Sequence, residues 1–147
     1  MILKLEQRVS QKDIEITITY PQKNRVIERL VSIIKSVDMQ IECYLDDSVK
    51  NINVSDIYYI ESLDEKTIVC CEKEKYITKY RLYQIYEKLK SKGFIQISKY
   101  CIINVNKLDK FRPMSNSRLE AVLSNKIYLC VTRKYVAGIK QFLRESE

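Results

Sequence analysis

The chain has no histidine, no tryptophan, two glycines and two prolines in 147 residues. Without histidine there can be no Ser-His-Asp or Cys-His nucleophilic site and no His-bearing zinc site, and the commonest general base near neutral pH is missing. The glycines, Gly93 and Gly138, lie far apart, so neither a phosphate-cradling P-loop nor a dinucleotide fingerprint can be built. Apolar runs extend only a few residues, far short of a membrane span, and the opening MILKLEQRVSQKD lacks a signal-peptide layout. A cytoplasmic location is expected. The five cysteines are odd in number and form no C-x-x-C pair. Each sits in an apolar, strand-like run, which reads as a buried, reduced thiol. The adjacent Cys70 and Cys71 must point to opposite faces of a strand, a poor geometry for a chelate or a disulfide. Carboxylates cluster at Asp46 and Asp47 and again at Glu61, Asp64 and Glu65, but these segments read as turns, where solvated Asp and Glu are ordinary. No catalytic residue, metal ligand or cofactor is expected.

What the chain does have is an uneven charge. Hydrophobic residues make up 46% and charged residues 31%, the balance of a soluble globular domain with a real core. Residues 1–50 carry eight Lys or Arg against eight Asp or Glu, so the net charge of +7 comes entirely from the rest. Between Lys88 and Arg144 thirteen basic residues face only Asp109 and Glu120. Such asymmetry favours a polyanionic partner, nucleic acid first and an acidic membrane surface second; a lysine-rich solubilising surface is the plain alternative.

Residues 1–45 read as a small strand–helix–strand unit. Residues 14–20 (IEITITY) alternate apolar and polar β-branched positions up to Pro21, and a short strand at residues 2–5 precedes them. After Asn24, a plausible cap, Val26, Ile27, Leu30, Ile33, Ile34 and Val37 recur at helical spacing, and residues 39–45 are strand-like. A second unit, residues 46–147, is mostly strands: 49–54, 57–61, 67–71 and 75–77, then 107–114, 118–123 and 127–131. One helix carries Leu82, Ile85, Tyr86 and Leu89, with lysines at its C-terminus and Gly93 as its stop. A last helix begins near Arg133 and buries Val136, Ile139, Phe142 and Leu143. Tyr58, Tyr59, Tyr80, Tyr83 and Tyr86 read as core and edge aromatics, not as a base-stacking platform. In FIQISKYCIINVNKL, residues 94–108, two apolar segments flank a polar, cationic knuckle at Ser98, Lys99 and Tyr100. That knuckle fixes a positive side chain on a rigid frame.

This order of strands, helix, knuckle and strands resembles the LytTR DNA-binding domain of bacterial transcriptional regulators, over residues 49–143. Three pieces carry the resemblance: DIYYIES at 56–62, FIQISKYCIINVNKL, and YLCVTRKYVAGIKQFL at 128–143. It implies an α+β, predominantly β fold of small antiparallel sheets with short helices. Such a domain docks on double-stranded DNA through loops and strand ends, without a recognition helix. Carried onto this chain, the family's contact positions fall on Lys66 or Thr67, on Ser98 and Lys99, and on Thr132, Arg133 and Lys134. Asn104 matches a family Asn whose expected task is to satisfy backbone groups in the core. The knuckle departs from the family in its Tyr100-Cys101 and in Lys99, where Arg or Asn is commoner. The preferred DNA sequence therefore does not carry over.

A receiver domain needs roughly 100–150 residues, far more than the 45 that precede the second unit, so the stand-alone subclass is implied. Its members are often encoded beside small membrane proteins that restrain them. Residues 1–45 are expected to dimerise or to regulate the chain, and a homodimer is expected. The reading is thus a sequence-specific, duplex-DNA-binding transcription regulator without enzymatic activity, with a basic protein-interaction module or an RNA-binding module as the alternatives.

Overall fold

With two glycines available, the hairpins turn on other residues. A computed structural model describes residues 1–144. Asp46, Asp64, Glu65, Asn116, Ser117 and Lys126 all take positive φ, a conformation that Asp and Asn tolerate better than most side chains. At Asp64 and Glu65 both tip residues are left-handed between paired Leu63 and Lys66. That is the primed turn matching the twist of a two-residue hairpin. Asp46, Asp47, Asp64 and Glu65 therefore sit at hairpin tips, as their sequence context implied, but Glu61 is corrected: it lies within a strand, opposite Ile68 on one side and Cys101 on the other.

The element order is α1 (Arg25–Val37), β1 (Gln40–Leu45), β2 (Ser48–Asn53), β3 (Tyr59–Leu63), β4 (Lys66–Cys70), β5 (Lys75–Thr78), α2 (Leu82–Leu89), β6 (Phe94–Ser98), β7 (Cys101–Asn104), β8 (Leu108–Met114), β9 (Arg118–Leu123), β10 (Tyr128–Val131) and α3 (Arg133–Arg144). Seven strands form one antiparallel sheet in the order β2-β1-β5-β4-β3-β7-β6, and three form another, β10-β9-β8. The fold is predominantly β, as expected.

The middle of the large sheet, β4, β3 and β7, is buried on both faces. Leu82, Ile85 and Leu89 of α2 close one core with Ile60, Val69 and Ile102. Leu119, Ala121, Val131, Val136 and Ile139, from the small sheet and α3, close the other with Tyr59, Cys70 and Ile103. Neighbours along β3, β4 and β7 thus serve opposite cores, which explains why these strands read as continuous apolar runs. Cys70 lies in the second core while Cys71 packs on the first, so the adjacent thiols do point apart. Tyr58 and Tyr59 are buried and Tyr86 is half-buried, whereas Tyr80 and Tyr83 are exposed, Tyr83 on the outer face of α2.

Three expectations are corrected. Residues 2–5 and 14–20 form neither strand nor helix, because no other strand lies beside them to pair their backbone. β1, read from sequence as part of the N-terminal unit, pairs along its whole length with β2 and touches β5 through Tyr44 and Ile77. Asp46 and Asp47 are the tip of that hairpin. Cys130 is exposed, because alternation along β10 puts it on the outer side while Val131 points inward.

The other four thiols are covered to different degrees. Burial pushes the Cys43 thiol up to about 12 and the thiols of Cys70 and Cys71 to about 11, and it raises Cys101 as well. Unfolded, these groups titrate near 9.0. Folding extends the range over which the thiols stay neutral, so stability is undiminished below that pH and falls as pH rises toward 11. Alkaline denaturation midpoints will show this decline. At neutral pH a thiol reagent will modify Cys130 rapidly and Cys71 slowly. Cys43, Cys70 and Cys101 will react only on unfolding.

α1 starts at Asn24, whose side chain accepts from Ile27 N at 3.1 Å. It docks on the rest through a small set of polar contacts. Asn106 Nδ2 donates to Ser32 Oγ at 3.2 Å, and the Arg25 guanidinium lies 4.6 Å from the Phe142 ring centre. Gly93 ends the turn after α2 with φ +90°, and a Cβ there would stand 3.0 Å from Asn106 Nδ2 and 3.1 Å from Ser32 Oγ. Gly93→Ala will therefore cost about 1–2 kcal/mol in chemical denaturation, from the left-handed backbone and this disturbed contact.

Candidate nucleic-acid interface

The knuckle is a two-residue hairpin. Ser98 pairs with Cys101, and Lys99 and Tyr100 form the tip. Ser98 Oγ accepts from Tyr100 N at 3.2 Å, which stiffens the turn. Lys99 and Tyr100 are exposed, with Lys99 Nζ 5.5 Å from the Tyr100 ring centre. Just before the tip the register shifts between Gln96 and Ser98, so Ile97 leaves the ladder while its side chain stays in the second core.

That irregularity has a use. The carbonyl freed at Ile97 accepts from Thr132 N at 3.0 Å, joining the knuckle to the residue ahead of α3. Tyr100 O accepts from Ser62 N at 2.8 Å, joining the knuckle to the end of β3. Ser62 leads straight into the Asp64-Glu65 turn and Lys66. The three segments singled out in the sequence are therefore tied by backbone hydrogen bonds at one end of the large sheet.

Individual residues differ in what they can offer. Lys66, Lys99, Thr132, Arg133 and Lys134 are exposed and Ser98 is half-buried. Thr67 is corrected: it faces Ser62 across the β3–β4 ladder and is only 4% exposed, so its side chain cannot reach a ligand. Lys66 is reachable but follows Asp64 and Glu65, which oppose a polyanion there. Among the described residues neither Lys99 nor Arg133 is in an ion pair. Arg133 is the first residue of α3, where the helix dipole disfavours a cation. Its charge has no local structural reason. Asn104, 2% exposed, donates from Nδ2 to Ile57 O at 2.8 Å and accepts from Asn106 N at 3.0 Å, so it is a core residue satisfying backbone groups.

One part of the surface was missed in the sequence. Arg133, Ala137 and Lys140, at positions i, i+4 and i+7 of α3, line an open groove of about 570 Å³. Its far wall is Asn116 and Ser117, at the tip of the β8–β9 hairpin, and among the described residues no carboxylate lines it. The helical spacing of Arg133 and Lys140 was legible, but the hairpin opposite them was not.

Comparison with known proteins identifies the family. The LytTr DNA-binding domain family matches residues 47–144. Sensory transduction protein LytT of Bacillus cereus is 27% identical over 116 residues, covering 76% of this chain, and the matched part spans 47% of that protein. An uncharacterized HTH-type transcriptional regulator of Staphylococcus aureus (strain MSSA476) is 27% identical over 146 residues, 97% of this chain and 99% of the relative. A solved LytTr DNA-binding domain from Bacillus cereus superposes with a TM-score of 0.67 at 24% identity, covering 71% of this chain and 95% of that one. Here the three helices are separated by strands, so among the described residues no helix-turn-helix pair forms. The chain belongs to the LytTR DNA-binding domain family.

Proposed function

We propose that this DNA-binding regulator recognises specific duplex sequences as a homodimer, with Arg133 reading bases and Lys99 holding the backbone beside it. The observation that carries the reading is the pair of backbone ties, Thr132 to Ile97 and Ser62 to Tyr100, which hold the basic segments at one end of the sheet. Arg133 has a planar fork of donors suited to guanine O6 and N7. Lys99 offers a single rigidly based cation, enough to position a phosphate. Lys140 and the β8–β9 tip extend the same surface and are suited to the neighbouring backbone. A regulator of this kind needs no catalytic group.

The test is selection from a random duplex pool, with structured RNA as competitor. Enrichment of a common motif that RNA does not displace is the expected result. Recovery without enrichment, or equal competition by RNA, would overturn sequence-specific duplex binding.

A further inference from the structure

Residues 14–20 pose a problem that the single chain leaves open. Their alternation of Ile14, Ile16, Ile18 and Tyr20 with Glu15, Thr17 and Thr19 is that of a half-buried strand. Yet they form no strand, and among the described residues no backbone group of residues 15–20 has a hydrogen-bond partner. Ile14 and Ile16 are 85% and 58% exposed. A sequence that specifies a strand in a fold that supplies no partner strand indicates that the partner is elsewhere.

The surrounding surface has the extent of an interface. Among the described residues, eleven of the twenty-one exposed large hydrophobic side chains lie within residues 1–37, a quarter of the chain. At roughly 80 Å² apiece they amount to about 900 Å², against about 800 Å² per partner in a standard protein interface. A lone soluble domain rarely leaves so much apolar surface exposed. Between the segment and α1 there is also an open cleft of about 450 Å³, walled by Ile16, Ile18 and Tyr20 on one side and by Ile27 and Val31 on the other.

We propose that residues 14–20 pair antiparallel with the same residues of a second copy of this chain, about a two-fold axis at Thr17. The register follows from the sequence. Ile16 then faces Ile18 and Ile14 faces Tyr20, all on the apolar side, while Thr17 meets Thr17 and Glu15 meets Thr19 on the polar side. β-Branched pairs and Thr–Thr contacts are favourable cross-strand neighbours, and no like charges stand opposite each other. A one-residue slip would set Glu15 against an apolar position and is disfavoured. Pro21 ends the pairing, since it lacks the amide to continue it. Side chains of the second copy then cover the cleft along α1. The contact is isologous, the usual form of a closed dimer.

This surface rests on the dimeric state proposed above and is independent of DNA binding. The test is the solution mass of the full chain by light scattering, from about 1 to 100 μM, for the parent, the double variant Ile14→Glu/Ile16→Glu and the single variant Thr17→Pro. The parent is expected at twice the 17.5 kDa chain mass. Both variants are expected at the chain mass, with far-UV circular dichroism changed by no more than the loss of that one short strand and with unchanged binding to a duplex carrying one half-site, because the altered residues lie outside both cores. A parent that stays monomeric overturns dimerisation. Variants that stay dimeric place the contact elsewhere and overturn this surface. Loss of half-site binding by the parent counts against the DNA reading alone.

Discussion

Arg133→Glu will abolish duplex binding and leave the fold as stable as the parent or slightly more so. In the free protein Arg133 opens α3 without an ion-pair partner among the described residues. There its charge opposes the helix dipole, an effect worth about 0.3–1 kcal/mol at such a position, and a carboxylate reverses the sign. On DNA the same substitution removes a contact worth about 1–3 kcal/mol and adds repulsion from the phosphates. Cognate affinity should therefore drop by at least about 100-fold at moderate salt, read by fluorescence anisotropy, with the melting temperature unchanged or raised. Arg133→Ala separates base reading from charge, because it should lose more on the cognate site than on random DNA. Equal loss on both, with the log–log salt slope shallower by about 1, would make Arg133 a phosphate contact instead.

Asn104→Leu will be strongly destabilising, although it keeps the number of side-chain heavy atoms. Its side chain joins β7 to the segment before β3 through Ile57 O and to the turn after β7 through Asn106 N. Leucine leaves that carbonyl and that amide buried without partners, each at about 1–3 kcal/mol. A total of about 3–4 kcal/mol is expected, which lowers Tm by roughly 10 °C for a chain of this size. Because Asn106 also bonds Ser32, α1 should loosen first, seen as early hydrogen exchange in residues 25–37. A loss below about 1 kcal/mol would mean that water replaces the amide.

The sequence was legible where local pattern and tertiary demand agree. α2 and its Gly93 stop, the β9 strand and the start of α3 could be read nearly to the residue, because each buries one periodic face. Asn104 could be read because a lone amide among apolar neighbours has few other tasks. Residues 14–20 could not, since alternation specifies a strand but not where its partner comes from. Thr67 looked accessible beside Lys66, yet pairing across β3–β4 turns it inward. The proposed site could be read as three basic segments. What joins them is a carbonyl released by a register shift at Ile97, and side-chain identity does not encode that event. The groove beside Arg133 depends likewise on a hairpin seventeen residues earlier folding back over α3.

The scarcity of glycine acts on the unfolded chain as well as on the native turns. Each non-glycine residue at a hairpin tip restricts the denatured ensemble, and relative to glycine this can favour folding by about 0.4–1 kcal/mol where the native conformation is unstrained. At the six left-handed residues, which fall in four turns, the same side chains oppose the native backbone by a similar or larger amount. The two effects offset each other within each turn. Glycine introduced at Asp64 or Glu65 would therefore change the entropy of unfolding more than its free energy, and would soften the tip next to Lys66 without moving the strands that hold the knuckle.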